Sequence, residues 1–337
     1  MKSAFKKLIL TVLCFVCVLF SVHSNDTLNN LQKNVSAFSD TMAKSLPFNS
    51  SIGLNWSDAY IGKFLGVPPH FGVGITAGMT TIDLPAINNI TNMFDISLPT
   101  PNIRMLNDKI VFPAFALEGR LGGFFLPFDI GVKFGTLPPI KWGVPFDIRY
   151  TMAGADIRFA LLDGKSNIFL PNLSIGLGVN YLNGGIGAKI GSGSFIFNLD
   201  GGGGNGITVS NPDVNLTWNT FGIDFKAQIS KQILIITPYA GIAGGYSWSK
   251  AGYEIKTDVT FSGGANKDTV NNALIAAGLD TIDFDDGISS IVERRAWNAR
   301  LFGGASINIF LFKIDLTGMY NFTDGQIGAS LGFRFQL

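Results

Sequence analysis

Residues 327–337 read IGASLGFRFQL. Ile327, Ala329, Leu331, Phe333, Phe335 and Leu337 are apolar, and the residues between them are small or polar. A period of two marks a β-strand with two unlike faces. One face stays apolar to the last residue, so it meets either a protein core or lipid.

The pattern recurs upstream. Strands are expected over 69–83, 115–121, 128–134, 146–161, 168–182, 221–229, 232–248, 297–309 and 312–322. Within 146–161 the apolar phase slips near Gly154, which predicts a bulge there. Connections alternate in length. Short ones fall at Gly122-Gly123, 163–167, Ser230-Lys231 and Phe310-Leu311; longer ones fall at 84–110, 137–145, 183–213 and 249–294. Membrane barrels keep this parity, with short periplasmic turns and longer outer loops, whereas a soluble sandwich has no reason to.

Composition agrees. Charged residues are 15%, against about 25% in soluble domains, and Gly (41) and Phe (29) are abundant. Residues 1–24 read as a secretory signal peptide: Lys2, Lys6 and Lys7 precede an apolar run from Leu8 to Phe20 that is short for a spanning helix. Losing these three lysines takes the formal charge from +1 to −2, that is 1 − 3, which leaves no basic footprint for nucleic acid. The fold expected is all-β: a transmembrane antiparallel up-and-down β-barrel of 10–14 strands with a short N-terminal helix. The divisions expected are 1–24 signal peptide, 25–62 helical and plug-like, and 63–337 barrel, located in the cell outer membrane.

In the segment before the barrel, Leu28, Leu31, Val35, Phe38 and Met42 form one apolar stripe at helical spacing. The segment is expected to start on the periplasmic side, and either packs into the barrel mouth or serves as a movable plug. Trp218, Trp248 and Trp297 fall at strand ends on the long-loop side, where the amphipathic indole favours a membrane–water boundary.

The polar faces carry Glu118, Arg120, Asp129, Lys133, Asp147, Arg149, Asp156, Arg158, Asp224, Lys226, Arg300, Lys313, Asp315 and Arg334. If the apolar faces meet lipid, these line the lumen. Acids and bases two residues apart, such as Asp156 and Arg158, read as self-neutralising pairs and imply little ion selectivity.

Enzyme chemistry finds little support. Both cysteines, Cys14 and Cys17, lie in the signal, and His70 is the one histidine after it. That excludes a His/Cys zinc cluster and leaves His70 without a recognisable nucleophile partner. The run Gly201 to Gly204 lacks the Lys-Ser/Thr of a phosphate loop. Asp280, Asp283, Asp285 and Asp286 lack the spacing of a helix-loop-helix calcium site. No metal, cofactor or nucleic acid is expected.

The last eight residues, SLGFRFQL, resemble the terminal signal of outer-membrane proteins through Ser330, Gly332, Phe335 and Leu337. That resemblance implies delivery by the outer-membrane assembly machinery; Leu337 stands where an aromatic residue is usual. More broadly, SIGLNWSDAYIGKFLGVPPHFGVGITAG (51–78), GADIRFALLDG (154–164) and LPNLSIGLGVNY (170–181) resemble an uncharacterised outer-membrane barrel family of diderm bacteria. The function expected is a porin-like channel for passive passage of small polar solutes. Two alternatives stand beside it: a transporter of apolar ligands gated by the N-terminal helix, and a closed barrel serving as a surface scaffold or adhesin. The partners expected are outer-membrane lipid, the assembly machinery during biogenesis and, as a possibility, further copies of the chain.

Overall fold

The computed structural model describes residues 25–66, 69–83, 109–141, 146–164, 170–189, 194–198, 206–262, 266–268 and 288–337. Helix α1 (Asn25–Ser50) precedes eleven strands: β1 (Phe71–Asp83), β2 (Lys109–Gly122), β3 (Phe128–Lys141), β4 (Phe146–Leu162), β5 (Asn172–Lys189), β6 (Ser194–Asn198), β7 (Gly206–Ser230), β8 (Ile236–Ser262), β9 (Ile288–Ile309), β10 (Phe312–Asn321) and β11 (Gln326–Gln336). Neighbours pair antiparallel, β5 pairs directly with β7, and β1 pairs with β11 from Gly72↔Gln336 to Thr80↔Gly328. These contacts close a ten-stranded barrel. Among the described residues, short β6 stays outside the ring and pairs with the outer end of β7.

Alternation explains the closure. In β10 and β11 every second residue is buried. Outward positions Ile309, Ile307, Leu301 and Trp297 on β9, and Phe312, Ile314, Leu316 and Tyr320 on β10, are exposed apolar side chains. From Ile309 to Trp297 the belt spans about 28 Å, at ~3.3 Å per residue and a tilt near 45°. Aromatic rings mark its upper edge: Tyr246 meets Trp248 and Trp297 edge-on, and Phe221 lies 5.9 Å from Trp248.

Two expectations are corrected. There is no bulge at Gly154: β4 keeps one register through Gly154↔Lys133 and Gly154↔Asn180. The backbone phase is constant and the interior changes instead. Below Gly154 the inward side chains are Asp156 and Arg158; above it they are Tyr150 and Met152, both buried. The register does shift between Leu137 and Ile140, where Pro138 and Pro139 offer no N–H to the ladder. The segments 183–213 and 249–294 are also not simply loops. They contain the outer reaches of β5, β7, β8 and β9, with β8 alone running 27 residues. The outer reach of β8 keeps a period of two, with Tyr253, Ile255, Val259 and Phe261 alternating with Glu254, Lys256, Asp258 and Thr260, whereas β9 carries polar residues on both faces, Ser290 and Arg294 on one and Glu293 and Arg295 on the other.

The interior has two levels. The outer half holds an apolar cluster that includes Met42, Leu46, Tyr150, Met152, Leu182 and Trp218, with Phe112 against it. The half nearer the short turns holds the charged residues. Helix α1 ends between the two levels. Pro47 sits in its last turn, and Ser50 and Ser51 hydroxyls donate to the carbonyls of Pro47 and Phe48. Gly53 (φ 90°) and Leu54 (φ 58°) then turn the chain out of the helix through left-handed backbone.

Candidate functional site

The lumen is occupied by the chain's own N-terminal segment. Contacts order its path. Asp40 pairs with Arg294 of the outer part of β9, and Ser45 accepts from Gln326 at the outer start of β11. Asn49 donates to Thr80 near the outer end of β1. Further along, Leu54 N–H donates to Glu118, Ser57 N–H to Asp315, and Ile61 N–H to Asp129 near the short turn between β2 and β3. The segment therefore runs from the long-loop side to the short-turn side, opposite to the expected periplasmic start of the helix. Gly62 lies against His70 and Gly122 at the short-turn rim, which fixes the lower end of the segment there.

Residues 51–61 adopt no regular element, and barrel side chains satisfy much of their backbone. Carbonyls of Ser50 and Ile52 each accept from Lys133 at 2.7 Å, which also places a cation at the C-terminus of α1. Trp56 and Ser57 carbonyls accept from Gln228, and the Asp58 carbonyl from Arg158. Ala59 N–H donates to Ser230. The Trp56 indole donates to Glu118, and its ring lies between the guanidinium groups of Arg334 and Arg120, 4.5 and 5.5 Å from its centroid. Ile52, Ser57 and Ala59 have no accessible surface. Water-sized cavities lie beside Asn55, Thr76 and Thr317 and beside Leu54, Asp156 and Lys226.

Around this thread the strands contribute five buried carboxylates (Glu118, Asp129, Asp156, Asp224, Asp315) and seven buried cations (Arg120, Lys133, Arg158, Lys226, Arg300, Lys313, Arg334). The thread adds a sixth carboxylate, Asp58, paired with Lys313 at 2.7 Å and with Arg334 at 2.9 Å. Arg120 bridges Asp129 and Asp156, Arg158 joins Asp129, Lys226 joins Asp156, Arg300 joins Asp224, and Arg334 joins Asp315. Each of these pairs links different strands, or a strand and the thread, rather than residues two apart on one strand. Partners two apart along a strand lie about 6.6 Å apart, whereas the closed barrel brings side chains together across its inner wall. Two pairs pass over glycine on the intervening strand. A Cβ on Gly131 would lie 2.5 Å from Asp156 Oδ1, beneath the Arg120–Asp156 pair. A Cβ on Gly245 would lie 2.4 Å from Asp224 Oδ1, beneath the Arg300–Asp224 pair.

The residues expected to line the lumen fall into three groups. Twelve of them are the buried carboxylates and cations just named, packed against the thread rather than along an open pore. Arg149 is a correction: it is exposed, on the face of β4 opposite Tyr150. The side chain of Asp147 lies outside the described residues. Trp218 is a second correction. It is buried at 3% exposure and packs edge-on against Phe112, so it faces the apolar interior while Trp248 and Trp297 face outward. The indole went inward because β7 presents even-numbered residues to the lumen and Trp218 is one of them. Met42 is buried in the apolar cluster; the side chains of Leu28, Leu31, Val35 and Phe38 lie outside the described residues. Residues 1–24, Gly201 to Gly204 and Asp280 to Asp286 do so as well. In the C-terminal signal, Ser330 and Gly332 face inward, and Phe335 and Leu337 are half-buried. The Leu337 carbonyl meets His70 Nδ1 at 3.1 Å beside the β1–β11 seam. Sequence reading missed Trp56 and Asp58; the available signal was SIGLNWSDAY, a run with an indole and a carboxylate but neither helical nor strand period.

No protein-family model and no curated protein matches the chain. Among solved structures, it is similar to the CymD monoaromatic hydrocarbon channel at 8% identity, covering 88% of this chain and 93% of that one with a TM-score of 0.28. It is similar to the transport unit of the autotransporter AIDA-I from Escherichia coli at 9% identity, covering 88% and 98% with a TM-score of 0.21. A TodX deletion mutant, also a monoaromatic hydrocarbon channel, is 9% identical over 79% and 90% with a TM-score of 0.24. Identities and scores this low carry nothing about activity, and the barrel is read from the chain's own strand pairing.

Proposed function

We propose that the protein is an integral outer-membrane β-barrel, closed at rest by its own residues 46–62, and that polar solutes pass only after that thread is displaced. Membrane placement is supported by the outward belt. From Phe312 to Phe322 and from Ile327 to Leu337, the lipid-side positions contain no charged residue, and an Arg or Lys there would cost about 2–4 kcal/mol at the midplane. The single observation carrying the closed state is the thread itself, hydrogen-bonded to side chains of eight strands.

Planar-bilayer conductance tests this. Chains 25–337 and 46–337 are compared with a chain beginning at Lys63, each shown to be folded by heat-modifiable migration. The first two are expected to be silent and the third to give discrete steps. Steady large steps from 25–337 would overturn the closed state. Silence from a folded 63–337 barrel would favour the surface-scaffold role instead.

A second reading rests on the apolar chamber formed by Phe112, Tyr150, Met152, Leu182 and Trp218 outside the charged layer. An apolar ligand would suit that level once α1 moved. Its test is hydrocarbon binding by 46–337 measured through Trp218 fluorescence, with a Trp218→Phe control; no quenching and no copurified lipid would exclude it.

A further inference from the structure

The direction of the thread has a topological consequence. At its lower end residue 62 joins β1 beside the short-turn rim, where Phe64 N–H donates to the Gly123 carbonyl. At its upper end α1 passes the rim formed by the β10–β11 hairpin. The last residue of β10, Asn321, pairs with Arg300. Arg294, which holds Asp40 at 2.8 Å, lies six residues further out on β9. At that level β10 and β11 have ended and α1 leans on the tall wall of β7, β8 and β9. From Ser45 to Asn25 the helix rises about 30 Å at ~1.5 Å per residue. From Arg300 to Ile288 the wall rises about 28 Å at the barrel's tilt. The two heights match, so the helix runs the height of the wall to its outer edge. Ala37 is already exposed.

We infer that α1 leaves the barrel on the long-loop side, so that residues 25–39 are displayed at the cell surface rather than in the periplasm. The surface assignment rests on the proposed outer-membrane placement; the side relative to the loops does not. A chain exported with its N-terminus leading would reach this state only if the barrel closed around the segment. The thread is then anchored at the periplasmic rim through residue 62 and held outside through Asp40 and Arg294. The thread can clear the lumen only if the segment before residue 62 is drawn back through the barrel toward that rim, which first requires release of the Asp40–Arg294 pair.

Single-cysteine labelling tests the topology, because Cys14 and Cys17 are the two native cysteines and both are replaced by alanine. Ala37→Cys and Asn30→Cys are compared with Asp324→Cys in the β10–β11 hairpin and Gln232→Cys in the β7–β8 turn. The probe is a maleimide on a polymer too large for general porins, applied to intact and permeabilised cells. We expect residues 30 and 37 to label in intact cells together with 324, and 232 only after permeabilisation. Labelling of 30 and 37 in step with 232, or in neither condition, overturns the inference. If 324 and 232 exchange behaviour, the barrel's orientation in the membrane is wrong, while the grouping of 30 and 37 with 324 still decides the path of α1.

Discussion

Arg334 on the last strand donates to Asp58 Oδ2 at 2.9 Å across 276 residues of chain. Asp58 belongs to the thread and Arg334 to the strand that closes the barrel. Lys313 reaches the same oxygen. One carboxylate thus ties closure of the wall to occupation of the lumen.

Asp58→Asn removes that charge from Lys313 and from Arg334, which also pairs with Asp315. Breaking a buried pair by losing one partner costs about 3–5 kcal/mol. The expected result is a lower urea midpoint for the heat-modifiable form and brief openings in bilayers that the parent lacks. An unchanged midpoint and continued silence would show that Asp58 does not secure the thread.

Gly245→Ala places a methyl 2.4 Å from Asp224 Oδ1. The Arg300–Asp224 pair must shift or break, at a cost of about 1–3 kcal/mol as overpacking. The matching control is Gly244→Ala, on the outward face, where a Cβ would meet nothing nearer than 3.8 Å. Equal midpoints for the two variants would contradict the over-glycine passage of the ion pair.

Removing the thread also removes Asp58, leaving seven strand cations facing five strand carboxylates. A 63–337 channel is therefore expected to prefer anions, seen as a reversal-potential shift in a salt gradient. Cation preference would mean that the charged layer rearranges when the thread leaves.

Ile314→Lys puts a cation on the lipid face of β10 and is expected to cost about 2–4 kcal/mol and to lower assembled barrel in the membrane. Lys250→Gln, above the belt, loses only an exposed pair with Glu293 and is expected to change stability by less than about 1 kcal/mol. Similar losses in both would place the belt elsewhere.

The Asp40 carboxyl feels burial, which raises its pKa, and this is outweighed by hydrogen bonding and charge from Lys44 and then Arg294, so the net shift is downward. A depressed carboxylate contributes stability above its unfolded pKa and loses it as pH falls through the folded one. Amide exchange in the outer half of α1 is expected to rise below about pH 4, and in Asp40→Asn to be raised already at neutral pH. Exchange in Asp40→Asn indistinguishable from the parent would remove Asp40 as the outer fastening.

Much of the barrel was legible because each strand carries its own evidence. The alternation of Phe312 to Phe322 and of Ile327 to Leu337 is local, and it names the lipid face without knowledge of any neighbour. Loop parity likewise follows from counting. Legibility failed where the solvent changed. Above the belt, β9 carries polar residues on both faces, Arg294 on one and Glu293 and Arg295 on the other, so its outer half resembled a loop. At Tyr150 and Met152 the lumen turns apolar, so a change of interior resembled a slip of register. Trp218 was misplaced for the same reason, since an indole suits an apolar interior as well as a membrane edge.

The sequence by itself determined a closed, lipid-facing wall with charges turned inward, because the cost of a charge in lipid acts residue by residue. Only the tertiary structure decided what the inward charges face. Residues 50–61 have no period of their own, since their partners are side chains from seven strands, and the pairing of Asp58 with Lys313 and Arg334 exists only once β11 has met β1. Hydrogen bonding of an irregular backbone to a surrounding wall is non-local, so no window of sequence contains it.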